Sequence, residues 1–558
     1  MKFLKSGSAL LIALCLFSGM PSAVAQTKAV SSIQAEDMML PLEFLGSREF
    51  RGRNTPSPEL DIASRYIALM ARRMGLQPLL PHGSFYQDVP VEVTSISPVK
   101  SYLRLLSDAG EQKFFFPQSW GVSIRTSNAG SMSGSLAFVG YGLSAPDLNW
   151  DDYGDADLKG KIAVMLDVQL PQEHILKPAD NRVRLTGRSR TLREKGALAV
   201  VSIISQEREA ALTQKGVSFD GQERLRFPDV DMSQPVAAAA APQVSLPAVP
   251  AAPFFQVEVR HEAAAAILGI SGEDLNRMFE TIGVGKSVSH RAIDGKTLEI
   301  TLAFDKRIEK TRNVVGFVEG SDPSLRKEYV LIGSHHDHLP PREGRILPGA
   351  DDNASGAVAM LELAQAFQVE RPKRSVIFVW HTAEEKGLVG AYYFVQHSPV
   401  PVEKISAVLN LDMLSRNDPN GIYLIGSNKV SQGLDDSIRS MNDRYIHLSL
   451  DYRYEDPGHP DRFFFRSDQF PYIRYGVPGV WFFCGTTEDY HQEGDVFERA
   501  DLKKMEKVTR LAFLAAMDIG NKPGLLKLDI NPDITARGKQ NFKFDWWKSI
   551  RASTPPGR

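Results

Sequence analysis

Histidines and carboxylates gather in a few short strings in the second half of the chain. These are Ser334-His335-His336-Asp337-His338, Gly349-Ala350-Asp351-Asp352-Asn353-Ala354-Ser355-Gly356, His381-Thr382-Ala383-Glu384-Glu385, Asn410-Leu411-Asp412 and Tyr490-His491. Imidazole nitrogens mixed with carboxylate oxygens suit zinc, and manganese or cobalt accept the same donors. Each string also has an ordinary reading when taken alone. A His-x-Asp at a strand end can be structural, Glu384-Glu385 can open a helix, where acids are favoured, and Asp351-Asp352 can cap one. Asp412 resists such a reading, because it ends an apolar run and a buried carboxylate needs a partner or a metal.

The strings are informative because of what precedes them. Apolar runs at Tyr329 to Gly333, Ser375 to Trp380, Ile405 to Leu411, Gly421 to Ile425 and Gly479 to Cys484 read as strands. Helical candidates at Ser355 to Phe367 and Leu434 to Met441 alternate with them. That alternation predicts an α/β fold with a mixed, mostly parallel sheet covered by helices on both faces. In such sheets ligands collect beyond the carboxyl ends of the strands. His335, Glu385, Asp412 and His491 follow strand candidates and Asp352 opens a helix, so two histidines and three carboxylates face one rim.

Upstream, Glu59 to Met74 carries helical spacing, with Phe50-Arg51-Gly52-Arg53-Asn54 before it as a loop. From about Ser131 short apolar runs alternate with turns, at Ser135 to Gly140, Lys161 to Asp167 and Ala197 to Ile204, and this texture predicts a β-rich stretch. Pro235 to Pro253 is too rich in proline to be a helix and reads as a loop or linker.

A chain of 558 residues divides naturally into two or three domains. Its formal net charge of -2 argues against nucleic acid and anionic membranes as partners. The start has the pattern of an export leader: Lys2 and Lys5, an apolar run from Ala9 to Phe17, then Ala23-Val24-Ala25 as a cleavage site. The run is too short to span a bilayer, so a periplasmic or secreted protein without stable membrane insertion is expected. Cys15 would leave with the leader, which leaves Cys484 alone, without a disulfide and with burial as its expected role.

The ordered set His335-His336-Asp337-His338, Gly349 to Gly356, Ala383-Glu384-Glu385-Lys386-Gly387, Asn410-Leu411-Asp412-Met413 and Asp489-Tyr490-His491 resembles the di-zinc family of bacterial leucyl aminopeptidases and glutamate carboxypeptidase II. The β-rich stretch, through Val139-Gly140-Tyr141-Gly142 and Asp157-Leu158-Lys159-Gly160-Lys161-Ile162, resembles the protease-associated domain that many members carry as an insertion. The resemblance implies a zinc exopeptidase fold with the leader at 1–25, peptidase segments at 26–130 and 290–520, the insertion at 131–289 and a tail at 521–558. It also implies two zinc ions, one held by His335, Asp352 and Asp412 and the other by Asp352, Glu385 and His491, with Asp352 bridging. Asp337 would orient His335 from behind, and Glu384 would be the general base.

Two ions ~3.5–4 Å apart would lower the pKa of a water between them, and Glu384 would take its proton and return it to the leaving amine. The implied activity is that of an exopeptidase, most simply an aminopeptidase acting on peptides with a free amino terminus. A carboxypeptidase would need cations for the terminal carboxylate, for which Arg466 or Arg474 are candidates. A non-catalytic binding protein, as in the related transferrin receptor, predicts broken ligands, whereas all are present here, and the full two-metal set also disfavours a glutaminyl cyclase. One departure stands out: Arg466-Ser467-Asp468-Gln469 falls where relatives often have Ser-Asp-His, and Gln469 does not titrate near neutral pH as histidine does. His459 and Tyr454, just before that loop, are candidates for the pocket wall, while His174, His261 and His290 are expected in surface or packing roles.

Overall fold

The structure is a computed structural model that describes residues 28–122, 129–145, 149–167, 188–219, 223–231, 254–283, 291–456 and 459–530. The leader, the proline-rich stretch at 235–253, His174, His290 and most of the tail lie outside the described residues.

The site-bearing elements are β1 (Tyr329–His335), α1 (Gly356–Val369), β2 (Ser375–His381), β3 (Ile405–Leu411), β4 (Gly421–Ile425), β5 (Gly479–Phe483) and α2 (Leu502–Asn521). The five strands and α1 match the expected runs within a residue or two, because strands buried on both faces must be apolar throughout, whereas α2 is a helix that the sequence reading did not name. β2, β3 and β5 are buried along their whole length, and β1 at every residue after Tyr329. β2, β1, β3 and β5 lie side by side and all parallel in the main sheet. Antiparallel strands flank this group: Phe304–Val318 beside β2, and β4 beside β5.

Helices cover both faces. On one side α1, α2 and the N-terminal helices Ala35–Leu45 and Pro58–Arg73 enclose a core around Phe367, Phe378, Trp380 and Phe513. On the other, helices Val389–Gln396 and Gln469–Arg474 pack Phe394 and Tyr472 over Leu331, Ile377 and Val408. Helix Pro58–Arg73 begins as its sequence dictates, with Pro58 in the first turn and the Ser57 hydroxyl accepting from the Leu60 amide.

A second sheet orders its strands 110–115, 102–107, 291–302, 130–138, 162–166, 199–203, 255–259 and 120–122. The chain leaves the main sheet at Ile96, adds an edge strand to it at Glu223–Arg226, and returns at Phe304, which pairs with Ile96 across an antiparallel ribbon. The second sheet thus uses strands on both sides of the expected 131–289 stretch. Leu103, Leu105, Leu298 and Ile300 belong to its core together with Val164, Val201 and Val257.

Candidate metal centre

The parallel strands point their carboxyl ends at one spot, and a single turn ties those ends together. Asn353 donates from Nδ2 to the Ser334 hydroxyl at the end of β1 (3.0 Å) and to the Leu411 carbonyl at the end of β3 (3.0 Å). Its Oδ1 accepts from the Gly356 amide (3.0 Å), where α1 begins, and from the Met413 amide (3.2 Å). Its neighbour Asp351 accepts from the Ser415 amide and hydroxyl at 2.7 and 2.8 Å. Asp352 is therefore presented between the strand ends by a buried latch on either side. Gly356 is required here, because a Cβ would sit 2.1 Å from the Leu411 carbonyl oxygen. Gly349 is required twice over, by its φ of +65° and by the His338 ring 2.6 Å from where its Cβ would be.

Asp352 faces two ways. Its Oδ1 lies 3.4 Å from His335 Nε2, and its Oδ2 lies 3.1 Å from His491 Nε2. On the first side, His335 Nε2 is also 3.2 Å from Asp412 Oδ1 and 3.9 Å from Glu384 Oε2. On the second, Glu385 Oε1 is 3.4 Å from His491 Nε2 and 3.0 Å from His338 Nδ1. The structure thus brings together His335, Asp352, Glu384, Glu385, Asp412 and His491, and adds His338, to which the sequence reading gave no role. His338 lies in the expected string but three residues past His335, so only the fold turns it toward Glu385.

The surroundings of these side chains are equally specific. Asp337 holds two segments rather than one: its Oδ1 accepts from the Glu384 amide (3.0 Å) and its Oδ2 from the Thr55 hydroxyl (3.0 Å). Its carboxylate is 3.8 Å from His335 Nδ1, whose hydrogen-bond partner is the Asp337 carbonyl at 3.1 Å. Ser467 donates to Asp412 Oδ2 (2.5 Å) and accepts from Asn410 (2.8 Å). The Trp481 indole donates to the Asp412 carbonyl at 2.8 Å. Asp495 accepts from the amides of Asp351 and Asp352 at 2.8 and 3.0 Å.

The electrostatics follow from burying so many carboxylates together. Burial works against a charged His335, yet the negative charge of Asp412, Glu384 and Asp352 outweighs it and raises its pKa well above the ordinary value. Glu384 is pushed well above the carboxylate range by burial, which His335 opposes and Glu385, Asp468 and Asp412 reinforce. Glu385 Oε1 and both ring nitrogens of His338 are buried and make no hydrogen bond among the described residues. Buried carboxylate oxygens and imidazole nitrogens gathered this closely fit a zinc ion on grounds of donor chemistry alone.

Beside the cluster a pocket opens between Met413, Phe463, Arg466, Trp481, Phe483 and Tyr490. Trp481 and Phe483 pack with ring centroids 4.3 Å apart and planes tilted by 35°, and Phe463 closes on Phe483 at 5.4 Å. Arg466 stands over Phe463 and donates to the Tyr490 hydroxyl at 2.9 Å. Arg474 is buried elsewhere, bonded to the Tyr392 hydroxyl at 2.8 Å. Tyr454 and His459 stand behind the pocket wall, packed on Phe463. Gln469 is buried too, donating to the Phe464 carbonyl, and does not line the pocket. Cys484 is buried, with its thiol 3.2 Å from Asp351 Oδ2, and His261 bonds the Ile204 carbonyl at 2.9 Å.

This arrangement of sheet and site has relatives. The segment 313–516, from the strand beside β2 through most of α2, matches the family described as Peptidase family M28. Leucine aminopeptidase 2 of Trichophyton rubrum is 25% identical over 356 residues, 58% of this chain and 65% of its own length. The probable leucine aminopeptidase 2 of Aspergillus oryzae is 31% identical over 229 residues, 40% of this chain and 41% of its own length. The chain spans about half the length of the curated relatives it matches. A zinc aminopeptidase from Bacillus subtilis superposes with a TM-score of 0.50 and 17% identity, over 89% of this chain and 99% of its own, and so shares the fold. Within the matched segment lie all the expected ligand positions, His335, Asp352, Glu385, Asp412 and His491.

Proposed function

We propose that this chain is a zinc-dependent aminopeptidase that removes first residues from peptides with a free amino terminus. The observation that carries the reading is Asp352, whose two oxygens face His335 on one side and His491 on the other. One carboxylate so placed can serve two ions. His335 and Asp412 complete one zinc site, and Glu385 and His491 complete the other, with His338 close enough to Glu385 to act as a donor or as its support.

Bound zinc supplies a Lewis acid for the peptide carbonyl and lowers the pKa of water towards neutrality. The chain's own residues do the rest. Glu384 takes a proton from the attacking water and delivers it to the departing amine. Its burial beside other carboxylates shifts it in the direction that a proton-transfer group working near neutral pH needs. Asp337 fixes the turn from which Glu384 projects, through the 3.0 Å bond to its amide. Ser467 and the Trp481 indole hold Asp412 from two directions. The wall of Phe463, Trp481 and Phe483 offers apolar surface to the first side chain of the peptide. The names of the relatives, leucine aminopeptidases, agree with such a wall.

Export belongs to the same proposal, on the strength of the leader pattern at 1–25. No helix among the described residues is long and apolar enough to cross a membrane.

The test is direct. Purified protein should contain about two zinc ions per chain and hydrolyse an aminoacyl chromogenic substrate with an apolar residue. Chelation should abolish turnover and zinc should restore it, while the amino-blocked form of the same substrate should stay intact. Turnover that survives full metal removal, or hydrolysis of the blocked substrate at an equal rate, would refute the reading.

A further inference from the structure

The loop ahead of helix Pro58–Arg73 lies more than 250 residues before the metal cluster in sequence, yet three of its consecutive residues reach that cluster. Arg53 is 1% exposed. Its guanidinium donates to the carbonyls of His336 (3.1 Å), Pro348 (2.7 Å), Gly349 (2.9 Å) and Leu45 (2.5 Å). It therefore bridges the string that carries His335 to the string that carries Asp352. Asn54 pairs with His338 as an isolated backbone bridge, and its Oδ1 accepts from Lys386 Nζ at 2.7 Å, next to Glu384 and Glu385. Thr55 donates to Asp337 Oδ2 at 3.0 Å, and the other oxygen of Asp337 accepts from the Glu384 amide. Gly52 fits so closely under the loop after His338 that a Cβ would meet the Leu339 carbonyl oxygen at 2.0 Å.

The bonding groups suit this task. A guanidinium is a rigid planar fork of five donors, so it fixes the separation of the carbonyls it spans. The positive charge also lies among carboxylates that would otherwise repel: Asp495, Asp352, Asp337 and Glu385 all act on Arg53 without bonding it. Thr55 leaves Asp337 with one lone-pair direction committed to the loop and another to the Glu384 turn, so the two move as one.

We propose that Arg53-Asn54-Thr55 is a positioning strap that sets the spacing between the His335 string, the Asp352 string and the Glu384-Glu385 turn before any metal is bound. The proposal rests on the reading of those residues as a zinc site. None of the three touches substrate, and their effect is exerted through the ligands and the base.

Removing Arg53 endangers the fold, so Thr55 carries the test. Thr55→Val keeps the volume and loses the donor, and Thr55→Ser keeps the donor. Zinc retention would be measured by competition with a graded chelator, kcat and KM with an aminoacyl chromogenic substrate, and melting on the metal-free protein. Thr55→Val is expected to lose zinc at a chelator concentration ~10–100-fold lower and to drop in kcat with KM near wild type. Its metal-free melting should fall only by what one lost buried hydrogen bond costs, with the fold retained, and Thr55→Ser should restore zinc retention and kcat to about the wild-type level. Thr55→Val that holds zinc and turns over as wild type does overturns the strap and leaves the zinc reading standing. Wild-type protein that binds no zinc overturns both.

Discussion

At the scale of single residues, adjacent acids face different partners. Glu385 turns to His491 and His338, whereas Glu384 turns to His335 and Asp412, and the backbone bond from Glu384 to Asp337 keeps them apart. Glu384→Gln should cut kcat by about 10²–10⁴-fold or more while metal analysis still finds zinc. Near-normal turnover would remove Glu384 from the mechanism. Asp352→Asn should behave in the opposite order and lose zinc first, because the amide replaces an anionic donor that faces both His335 and His491. A variant that retains both ions at full occupancy would contradict the bridging role. The ligand types were legible in the sequence because each sits beside a strand that announces itself by apolar character. His338 was not, since its meeting with Glu385 spans a β-α-β crossover, and nothing in the local string distinguishes a histidine that faces the cluster from one that packs beneath it, as His336 does against Ser64.

At the scale of elements, the strands and turns that carry the site are held by buried polar latches, and one of these responds to pH. Glu455 lies in the short turn beside β4 and accepts from the Gly426 amide at 3.1 Å. Burial pushes its carboxyl up to about 8, against the pull of that amide and of Lys429. A carboxyl raised in the folded state keeps a proton that the unfolded chain has already released. Its contribution to stability is therefore complete below about pH 4.5 and is lost as the pH rises towards 8, with a slope approaching ~1.4 kcal/mol per unit. Glu455→Gln should flatten that fall: urea melts of the variant should show it more resistant than wild type at pH 8 and equal to it near pH 4. An unchanged slope would mean that Glu455 is ionised in the folded protein. The five strands beside the cluster and the helices Gly356–Val369 and Gln432–Met441 were readable, because strands buried on both faces are apolar throughout, whereas helices Val389–Gln396, Gln469–Arg474 and Leu502–Asn521 were not read. The pocket wall was not: Tyr454 and His459 precede Phe463 closely in sequence but stand behind it, and the wall instead joins Phe463 to Trp481 and Phe483 from β5.

At the scale of the whole molecule, the main sheet, with a core on each face, and the second sheet, with its own core, are joined by one long antiparallel ribbon, Tyr86–Ile96 against Phe304–Val318. The core of the second sheet centres on Leu298, Ile300, Val164 and Val257, and that sheet touches the metal region through the helix Gln206–Lys215, where Arg208 pairs with Glu343 at 2.6 Å. Glu343 lies on the loop between His338 and Gly349, so the second sheet borders the cluster, and among the described residues none of its side chains belongs to it. Leu298→Ala should cost about 2–5 kcal/mol as a buried large-to-small change. Calorimetry should show that cost as a lowered transition for the second sheet, with the zinc-stabilised transition unmoved. A single transition that shifts as one would mean that the two sheets unfold together.

The sequence by itself determined the kinds of donor, their order and the strands that end in them. A parallel strand buried on both faces must be apolar, so a histidine or carboxylate at its end stands out wherever the chain is read. Asp412 shows this best, as a charge closing an apolar run. Only the tertiary structure decided which of those donors share a face, how Asp352 divides its oxygens between His335 and His491, and that Arg53, Asn54 and Thr55 fasten the whole. The reason is the distance along the chain: the Thr55 contact with Asp337 closes 282 residues and that of Asn54 with Lys386 closes 332. Bonds across such separations depend on where the sheets and helices come to rest, and no local period or spacing records them.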